Sequence, residues 1–200
     1  MLETKSRNQM YTTDVSKIKQ QLNRVLAVID PVYIDTILAL HKRLDKEHIS
    51  WAIGGDLGET LRAVQVKPDC IEILTSRKGS AQIFMAFKEF SQKGVLFQTQ
   101  SLERKAFVEK KEYPVYARSY YFDFTLNGVK VKVHGDLQFK VGDWEWGDKL
   151  EYTPEHVSVV GTKTAIVPLQ VKYEFYQALG WADRAEKISQ VINRHPSALR

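Results

Sequence analysis

Residues 51–56 read WAIGGD and residues 68–74 read PDCIEIL, and these two stretches decide the fold. Each contains a short apolar run typical of a buried strand, and a helical pattern over Leu57–Val64 lies between them. The pair Gly54-Gly55 ends the first run, where glycine permits a tight turn and lets a ligand approach the backbone closely. The order strand, turn, helix, strand is typical of α/β architecture.

Two helical patterns precede this unit in the sequence, and a third follows its second strand. Apolar residues at helical spacing predict one helix over Val15–Ile29 and another that begins at Asp30-Pro31, a capping residue followed by a first-turn proline. His41 lies on the apolar stripe of the second helix, where we expect a buried, hydrogen-bonded core histidine. A further helix is predicted around residues 83–90.

The C-terminal part of the chain returns to helix. Pro168 begins one helix, Gly180 ends it as a C-terminal cap, and a last helix is predicted over Ala182–Arg194. The segment Tyr152–Val167 contains Pro154 and Gly161, and we expect it to connect the core of the protein to this helical tail.

A hairpin is predicted around Asn127-Gly128, because both residues tolerate the positive φ angles of a two-residue turn. Such a turn fixes the register of its strands. The apolar pairs are Leu126 with Val129, Phe124 with Val131, and Phe122 with Val133; the polar pairs are Thr125 with Lys130, Asp123 with Lys132, and Tyr121 with His134. One side of the hairpin therefore faces the core.

Composition excludes several classes of protein. The 200 residues carry a net charge of +5, and 44% of them are hydrophobic, as in an ordinary globular chain. The single cysteine, Cys70, excludes an internal disulfide framework and a zinc cluster built on thiolates. We expect no membrane association and a cytoplasmic location. The chain has no Walker loop, no Gly-x-Gly-x-x-Gly and no Gly-x-Ser-x-Gly motif.

The remaining constellation suits a phosphate ligand. A glycine turn before a helix exposes backbone N–H groups to an anion, so Gly54, Gly55 and Asp56 are the candidate nucleotide-binding residues. Strand alternation directs Cys70 and Glu72 to one side, and it groups Lys130, Lys132 and His134 in the same way.

At these residues, within about Glu47–Ile192, the chain resembles the nucleotidyltransferase superfamily, the fold of DNA polymerase beta and of small archaeal and antibiotic nucleotidyltransferases. The family pattern is a Gly-Gly or Gly-Ser turn, an Asp-x-Asp pair on the next strand and a third acid from a later strand. The resemblance implies a mixed α/β (α+β) sheet flanked by helices. It also implies three units: an N-terminal helical segment (1–46), a nucleotidyltransferase-like domain (47–150), and a C-terminal connection with a helical tail (151–200).

The departures from the family pattern fall on its catalytic acids. Cys70 stands at the first position, Glu72 at the second, and Lys132 at the third, or His134 if the register slips by two. In the family the three acids hold two magnesium ions, and magnesium requires hard oxygen ligands. We therefore expect magnesium only if the family activity is retained.

Three substitutes for the missing groups follow from the sequence. Asp69 could turn into the cleft through a bulge, or Asp123 could contribute an acid, the alternative being an ion pair between Asp123 and Lys132. The third is that the Lys132 ammonium takes the place of a metal ion and pairs with Glu72.

The resulting functional prediction is a nucleotidyltransferase-fold protein that binds a nucleoside triphosphate or another phosphate, with lost or weakened metal-dependent transfer. As an enzyme it would transfer a nucleoside monophosphate to a hydroxyl of a small molecule, protein or RNA. Two alternatives stay open at this point. One is a non-catalytic protein-interaction module, such as a partner subunit or an antitoxin-like regulator, and the other is an RNA-binding accessory protein.

Overall fold

The computed structural model describes residues 29–194, which form five α-helices and two sheets. The helices are α1 (Pro31–Leu44), α2 (Gly55–Thr60), α3 (Arg77–Phe87), α4 (Leu169–Ala178) and α5 (Ala182–Arg194). The strands are β1 (Trp51–Ile53), β2 (Ile71–Thr75), β3 (Leu96–Ser101), β4 (Ala106–Val108), β5 (Lys111–Tyr113), β6 (Val115–Leu126), β7 (Val129–Val141), β8 (Glu155–Val159) and β9 (Thr162–Ile166). The helix predicted over Val15–Ile29 lies, except for Ile29, outside the described residues.

The main sheet has seven strands in the order β3-β6-β7-β2-β1-β9-β8, and β4 pairs with β5 in a separate small sheet. Strand β2 is parallel to β7, and β1 is parallel to β9, whereas the other neighbours in the main sheet are antiparallel. The expected mixed sheet flanked by helices is therefore confirmed. None of the helices among residues 29–194 has the length and apolar character needed to cross a membrane.

Local sequence signals explain the start of α1 and the central hairpin. The Asp30 side chain accepts a hydrogen bond from the Val32 N–H at 3.0 Å, and Pro31 occupies the first turn. Asn127 and Gly128 have φ angles of 54° and 80°, and every predicted cross-strand pair of the hairpin is present. His41 is buried and forms hydrogen bonds with Asp45 and Thr164, as expected.

Two hydrophobic cores hold the elements together. The larger one lies between the sheet and helices α1 and α3, and it includes Ile37, Leu40 and Phe87. The smaller one joins α4 and α5, through Leu169 and Ile188 among others, to residues before and within the strands such as Val64, Ala106 and Val115. The tail is therefore part of a core shared with the rest of the chain.

Two sequence predictions are corrected here. The helix predicted over Leu57–Val64 is the shorter α2, because Ala63 adopts a φ of 64° and the Val64 N–H donates to the Glu59 carbonyl, which ends the helix. The segment Tyr152–Val167, expected to be a connection, contains the β8–β9 hairpin. Its turn uses Val160 and Gly161 at φ 48° and 82°, and valine is not a residue that predicts such a turn.

Candidate functional site

The Gly54-Gly55 turn lies directly against Glu72. The Gly54 N–H donates to the Glu72 carbonyl at 2.8 Å, which fixes the end of β1 beside the start of β2. Gly55 has a φ of 52°, and a Cβ atom built there would lie 2.8 Å from the Glu72 carboxyl carbon. Glycine at 55 is thus required by both the backbone angle and the neighbouring side chain.

The structure brings together the three residues that the resemblance assigns to the acid positions. Glu72 and Lys132 are cross-strand partners in the parallel pair β2–β7, so their backbones are about 4.8 Å apart and their side chains share one face of the sheet. Cys70 precedes β2 and is electrostatically coupled to both of them. The sequence analysis left open whether Lys132 or His134 lies beside Glu72, and the observed pairing places Lys132 there.

Cys70 is a buried, protonated thiol. Burial, together with the neighbouring Asp69 and Glu72 carboxylates, raises the pKa of this thiol to about 12, although Lys132 acts in the opposite direction. A thiol with this pKa carries almost no thiolate at neutral pH, and the thiolate is the nucleophilic and metal-binding form. At neutral pH Cys70 is therefore in its thiol form, which is a weak nucleophile and a weak metal ligand.

Glu72 and Lys132 affect each other's ionisation without a close ion pair. Burial raises the pKa of the Glu72 carboxyl, and the ammonium groups of Lys132 and Lys172 only partly offset burial. Partial burial alone would lower the pKa of the Lys132 ammonium. The acidic groups of Cys70, Glu72 and Asp69 outweigh burial and raise the pKa above its ordinary value. Within the described residues Lys132 makes no ion pair at 4.0 Å or less, so the expected Glu72–Lys132 pair is corrected to a longer-range interaction.

The donor set does not fit magnesium. One carboxylate, a protonated thiol and an ammonium occupy the positions of three acids, and magnesium requires oxygen ligands in octahedral geometry. No group of three His, Cys, Asp or Glu side chains in the part of the chain that the structure describes is placed to hold a metal ion. Neither Asp69 nor Asp123 completes such a group.

Asp123 is held elsewhere. Its carboxylate forms an ion pair with Lys130 at 3.0 Å and accepts a hydrogen bond from the Tyr121 hydroxyl at 3.0 Å. The expected partner was Lys132, which lies directly opposite in the hairpin. The diagonal neighbour Lys130 binds the carboxylate instead, because the long lysine side chain spans the diagonal distance across the pair.

A buried ionic network behind the turn was not predicted. The Glu59 carboxylate is fully buried and accepts hydrogen bonds from Lys172 at 2.8 Å, Tyr176 at 2.5 Å and Arg184 at 2.9 Å. Lys172 also donates to the Gly55 carbonyl. The only sequence signal was the spacing of Lys172 and Tyr176, which places both on one side of the helix that begins after Pro168.

The same network includes Asp56, one of the predicted nucleotide-binding residues. Its carboxylate forms an ion pair with Arg184 at 2.5 Å. Helix α2 has only six residues and so lacks the dipole of a long helix, and at the turn Gly54 is buried while Gly55 is half-buried. Asp56 joins the turn to the tail helix α5.

A cavity of about 330 Å³ opens beside the turn. Its polar end contains Gly55, Asp56, Glu72, Lys172 and Arg184, and its apolar part is lined by residues such as Leu137, Phe139, Phe175 and Trp181. A neighbouring cavity of about 410 Å³ shares Leu74, Leu137 and Leu150 with it and is lined also by His134. Polar and apolar ends in one cleft suit a ligand with a charged group and a flat ring system.

Comparisons with known proteins agree with this architecture. A family model described as aminoglycoside-2''-adenylyltransferase matches residues 36–192. The crystal structure of TM1012 from Thermotoga maritima, assigned as a nucleotidyltransferase, is 26% identical with a TM-score of 0.62, and the match covers 83% of this chain and 96% of that one. The lincomycin-bound crystal structure of the lincosamide antibiotic adenylyltransferase LnuA is 8% identical with a TM-score of 0.45, covering 82% and 98%. No curated protein matches the chain.

Proposed function

Because the chain belongs to the aminoglycoside-2''-adenylyltransferase family, a nucleotidyltransferase-fold family, we propose that it binds a nucleoside triphosphate in the cleft beside Gly54 and Gly55. We propose further that binding does not depend on magnesium and that two-metal nucleotidyl transfer is lost or weakened. Lys132 then provides the positive charge that metal ions supply to the triphosphate in the family pattern.

The observation that carries this proposal is the placement of Lys132. Its side chain is on the same face of the sheet as that of Glu72, which borders the cavity, and its pKa is raised, so the ammonium is charged at neutral pH. Lys130, two residues earlier on the same face, is engaged by Asp123, whereas Lys132 has no ion-pair partner within residues 29–194. A charged donor without a carboxylate partner is available to a phosphate oxygen.

The cleft offers complementary surfaces for the other parts of a nucleotide. Gly55 borders the cavity together with Asp56 and Glu72, and the positive φ of Gly55 and the adjacent Glu72 side chain both require glycine at this position. The apolar part of the cavity contains the aromatic residues Phe139, Phe175 and Trp181, of which Phe175 and Trp181 are in edge-to-face contact at 6.0 Å. We propose that the base and sugar occupy this part while the phosphates lie toward Lys132.

Calorimetric titration with ATP, GTP, CTP and UTP tests the binding proposal, each in EDTA and again in magnesium. We expect at least one nucleotide to bind equally well in both conditions. The Lys132→Ala variant should bind at least about 10-fold more weakly, since a hydrogen bond from a charged donor contributes roughly 1.5–3 kcal/mol.

Lys130→Ala is the matched control, because it removes the same charge from the same strand and face. It should leave nucleotide affinity unchanged. Binding that requires magnesium and tightens in Lys132→Ala would contradict the proposal, and so would the absence of binding by all four nucleotides.

Transfer activity is tested separately with labelled nucleotides, magnesium or manganese, and acceptors that include an aminoglycoside, as the family name suggests. We expect little or no label on any acceptor with the natural chain. The double variant Cys70→Asp, Lys132→Asp restores three acids, and its nucleotide binding should become magnesium-dependent. Efficient transfer by the natural chain would show that the degenerate site is the wrong interpretation.

A further inference from the structure

Among residues 29–194, no element covers the far end of one face of the main sheet. Helix α3 covers this face as far as Phe122, which Phe84 contacts edge-on at 5.5 Å. The alternate β6 residues beyond Phe122 share the same face, since side chains alternate along a strand. Their cross-strand partners on β3 and β7 are also on this face. The aromatic–cationic platform, as we name it, comprises Phe97, Tyr116, Arg118, Tyr120 and Lys140, with Arg77 from α3 and Trp146 from the loop after β7.

Cations and rings alternate on the platform. Arg77 lies over Tyr120 at 4.6 Å from the ring centre, Arg118 over Trp146 at 4.3 Å, and Lys140 over Tyr116 at 5.6 Å. Phe97 contacts Tyr120 at 4.9 Å between ring centres and remains 55% exposed. The platform therefore combines one exposed ring, that of Phe97, with three half-buried rings and the cations that lie over them.

The charges of this platform are not neutralised by carboxylates. Across the described part of the chain, six basic residues lie over aromatic rings, and three of these, Arg43, Arg104 and Arg184, also form ion pairs with acids.

The other three, Arg77, Arg118 and Lys140, are on the platform, and none of them has a carboxylate within 4.0 Å among residues 29–194. Arg118 instead donates to the Gln138 side chain at 2.9 Å, which fixes its orientation. This surface thus has unsatisfied positive charge beside stackable rings.

We propose that the aromatic–cationic platform binds single-stranded nucleic acid. Bases stack on aromatic side chains and guanidinium planes, and phosphates pair with lysine and arginine, which is the combination of groups found here. A duplex hides its base faces, so only an unpaired strand can use the rings. The net charge of +5 also favours association with a polyanion.

This platform is separate from the proposed nucleotide cleft. Lys132 shares its face with Asp123, whereas Tyr120 and Phe122 belong to the opposite face of β6. Nucleic-acid binding can therefore fail while nucleotide binding succeeds, and the reverse also holds.

Fluorescence anisotropy with labelled 12-nucleotide single strands of RNA and DNA tests the proposal, with a duplex of the same length alongside. We expect single strands to bind and the duplex to bind much more weakly. The logarithm of affinity should fall with the logarithm of salt concentration with a slope near −2, at about 0.7 per neutralised phosphate for three cations.

Two variants have matched controls. Phe97→Ala should weaken single-strand binding by about 5-fold or more through lost stacking, whereas Phe107→Ala, equally exposed at 54% on β4, should not. Arg77→Gln should weaken binding and flatten the salt slope, whereas Lys42→Gln, an exposed charge on α1, should do neither.

Equal affinity of both members of each pair would overturn the proposal, as would failure of every single strand to bind the natural chain. Sedimentation of the natural chain and of Phe97→Ala tests whether a second copy of the chain, and not nucleic acid, occupies the platform. Self-association that Phe97→Ala abolishes, without nucleic-acid binding, would assign the platform to a second copy of the chain instead.

Discussion

Gly55 is the residue at which backbone and side-chain constraints coincide. Replacement by alanine would force an L-residue into a φ of 52° and place a Cβ atom against Glu72. We expect Gly55→Ala to lower the free energy of unfolding by about 2–4 kcal/mol, of which backbone strain accounts for about 1–3 kcal/mol. Urea unfolding measures the total loss.

Gly161→Ala is the control that measures the backbone strain alone. Gly161 has a φ of 82°, and no atom of residues 29–194 lies within 4 Å of the Cβ position. Its replacement should cost only the backbone strain. Equal losses in the two variants would mean that the contact with Glu72 adds nothing at position 55.

His134 gives the protein a defined response to acid. Burial, with a smaller effect of the Lys132 ammonium, lowers the pKa of His134 to about 4 from an ordinary value of 6.5. The unfolded chain then takes up a proton between pH 6.5 and 4 that the folded chain does not, so stability is lost as pH falls through this range. The loss is roughly 3–4 kcal/mol, at about 1.4 kcal/mol for each unit of the shift in pKa.

The variant His134→Gln should remove this part of the pH dependence. Urea unfolding of the natural chain and the variant at intervals from pH 7 to pH 4 measures the difference between their stabilities. We expect this difference to move in favour of the variant as pH falls. Parallel profiles of stability against pH for the natural chain and the variant would show that His134 is not the group responsible. The control is His156→Gln, which changes an exposed histidine on β8.

At the scale of elements, the Glu59 carboxylate joins α2 to both tail helices. Its partners Lys172 and Tyr176 are on α4, and Arg184 is on α5. Because the carboxylate is fully buried, removal of its charge leaves Lys172 without its carboxylate partner and Arg184 with Asp56 alone. Breaking a buried ion pair from one side costs about 3–5 kcal/mol.

We therefore expect Glu59→Gln to destabilise the protein by roughly 3–5 kcal/mol in urea unfolding. Asp183→Asn removes a carboxylate from the exposed pair with Arg104 and should cost about 1 kcal/mol or less. If Glu59→Gln were as mild as this control, the network would have little effect on the docking of the tail.

At the scale of the whole molecule, the division into 47–150 and 151–200 remains a prediction. The shared core bears on it, because Trp181 and Ile188 of the tail pack with Val64, Ala106 and Val115. A chain that ends at Val167 would expose this apolar surface and the Glu59 carboxylate. We expect it to lose cooperative thermal unfolding, measured by circular dichroism. A cooperative transition near that of the full chain would show that the first 167 residues fold independently.

The sequence by itself determined the features that depend on neighbours in the chain. Asn127-Gly128 fixed the register of β6 and β7, because a two-residue turn leaves only one pairing. Asp30-Pro31 fixed the start of α1, and the glycine pair with the two apolar runs determined the nucleotidyltransferase-like arrangement around the turn. In each case the physical cause is local backbone conformation.

Only the tertiary structure decided which charges meet. Parallel pairing of β2 with β7 brings Glu72 beside Lys132, 60 positions later, and the tail brings Lys172 and Arg184 to Glu59. The uncovered end of the sheet that forms the aromatic–cationic platform is also defined by where α3 begins relative to β6. No local pattern encodes these contacts, because they depend on the packing of elements far apart in the sequence and on the burial that this packing creates.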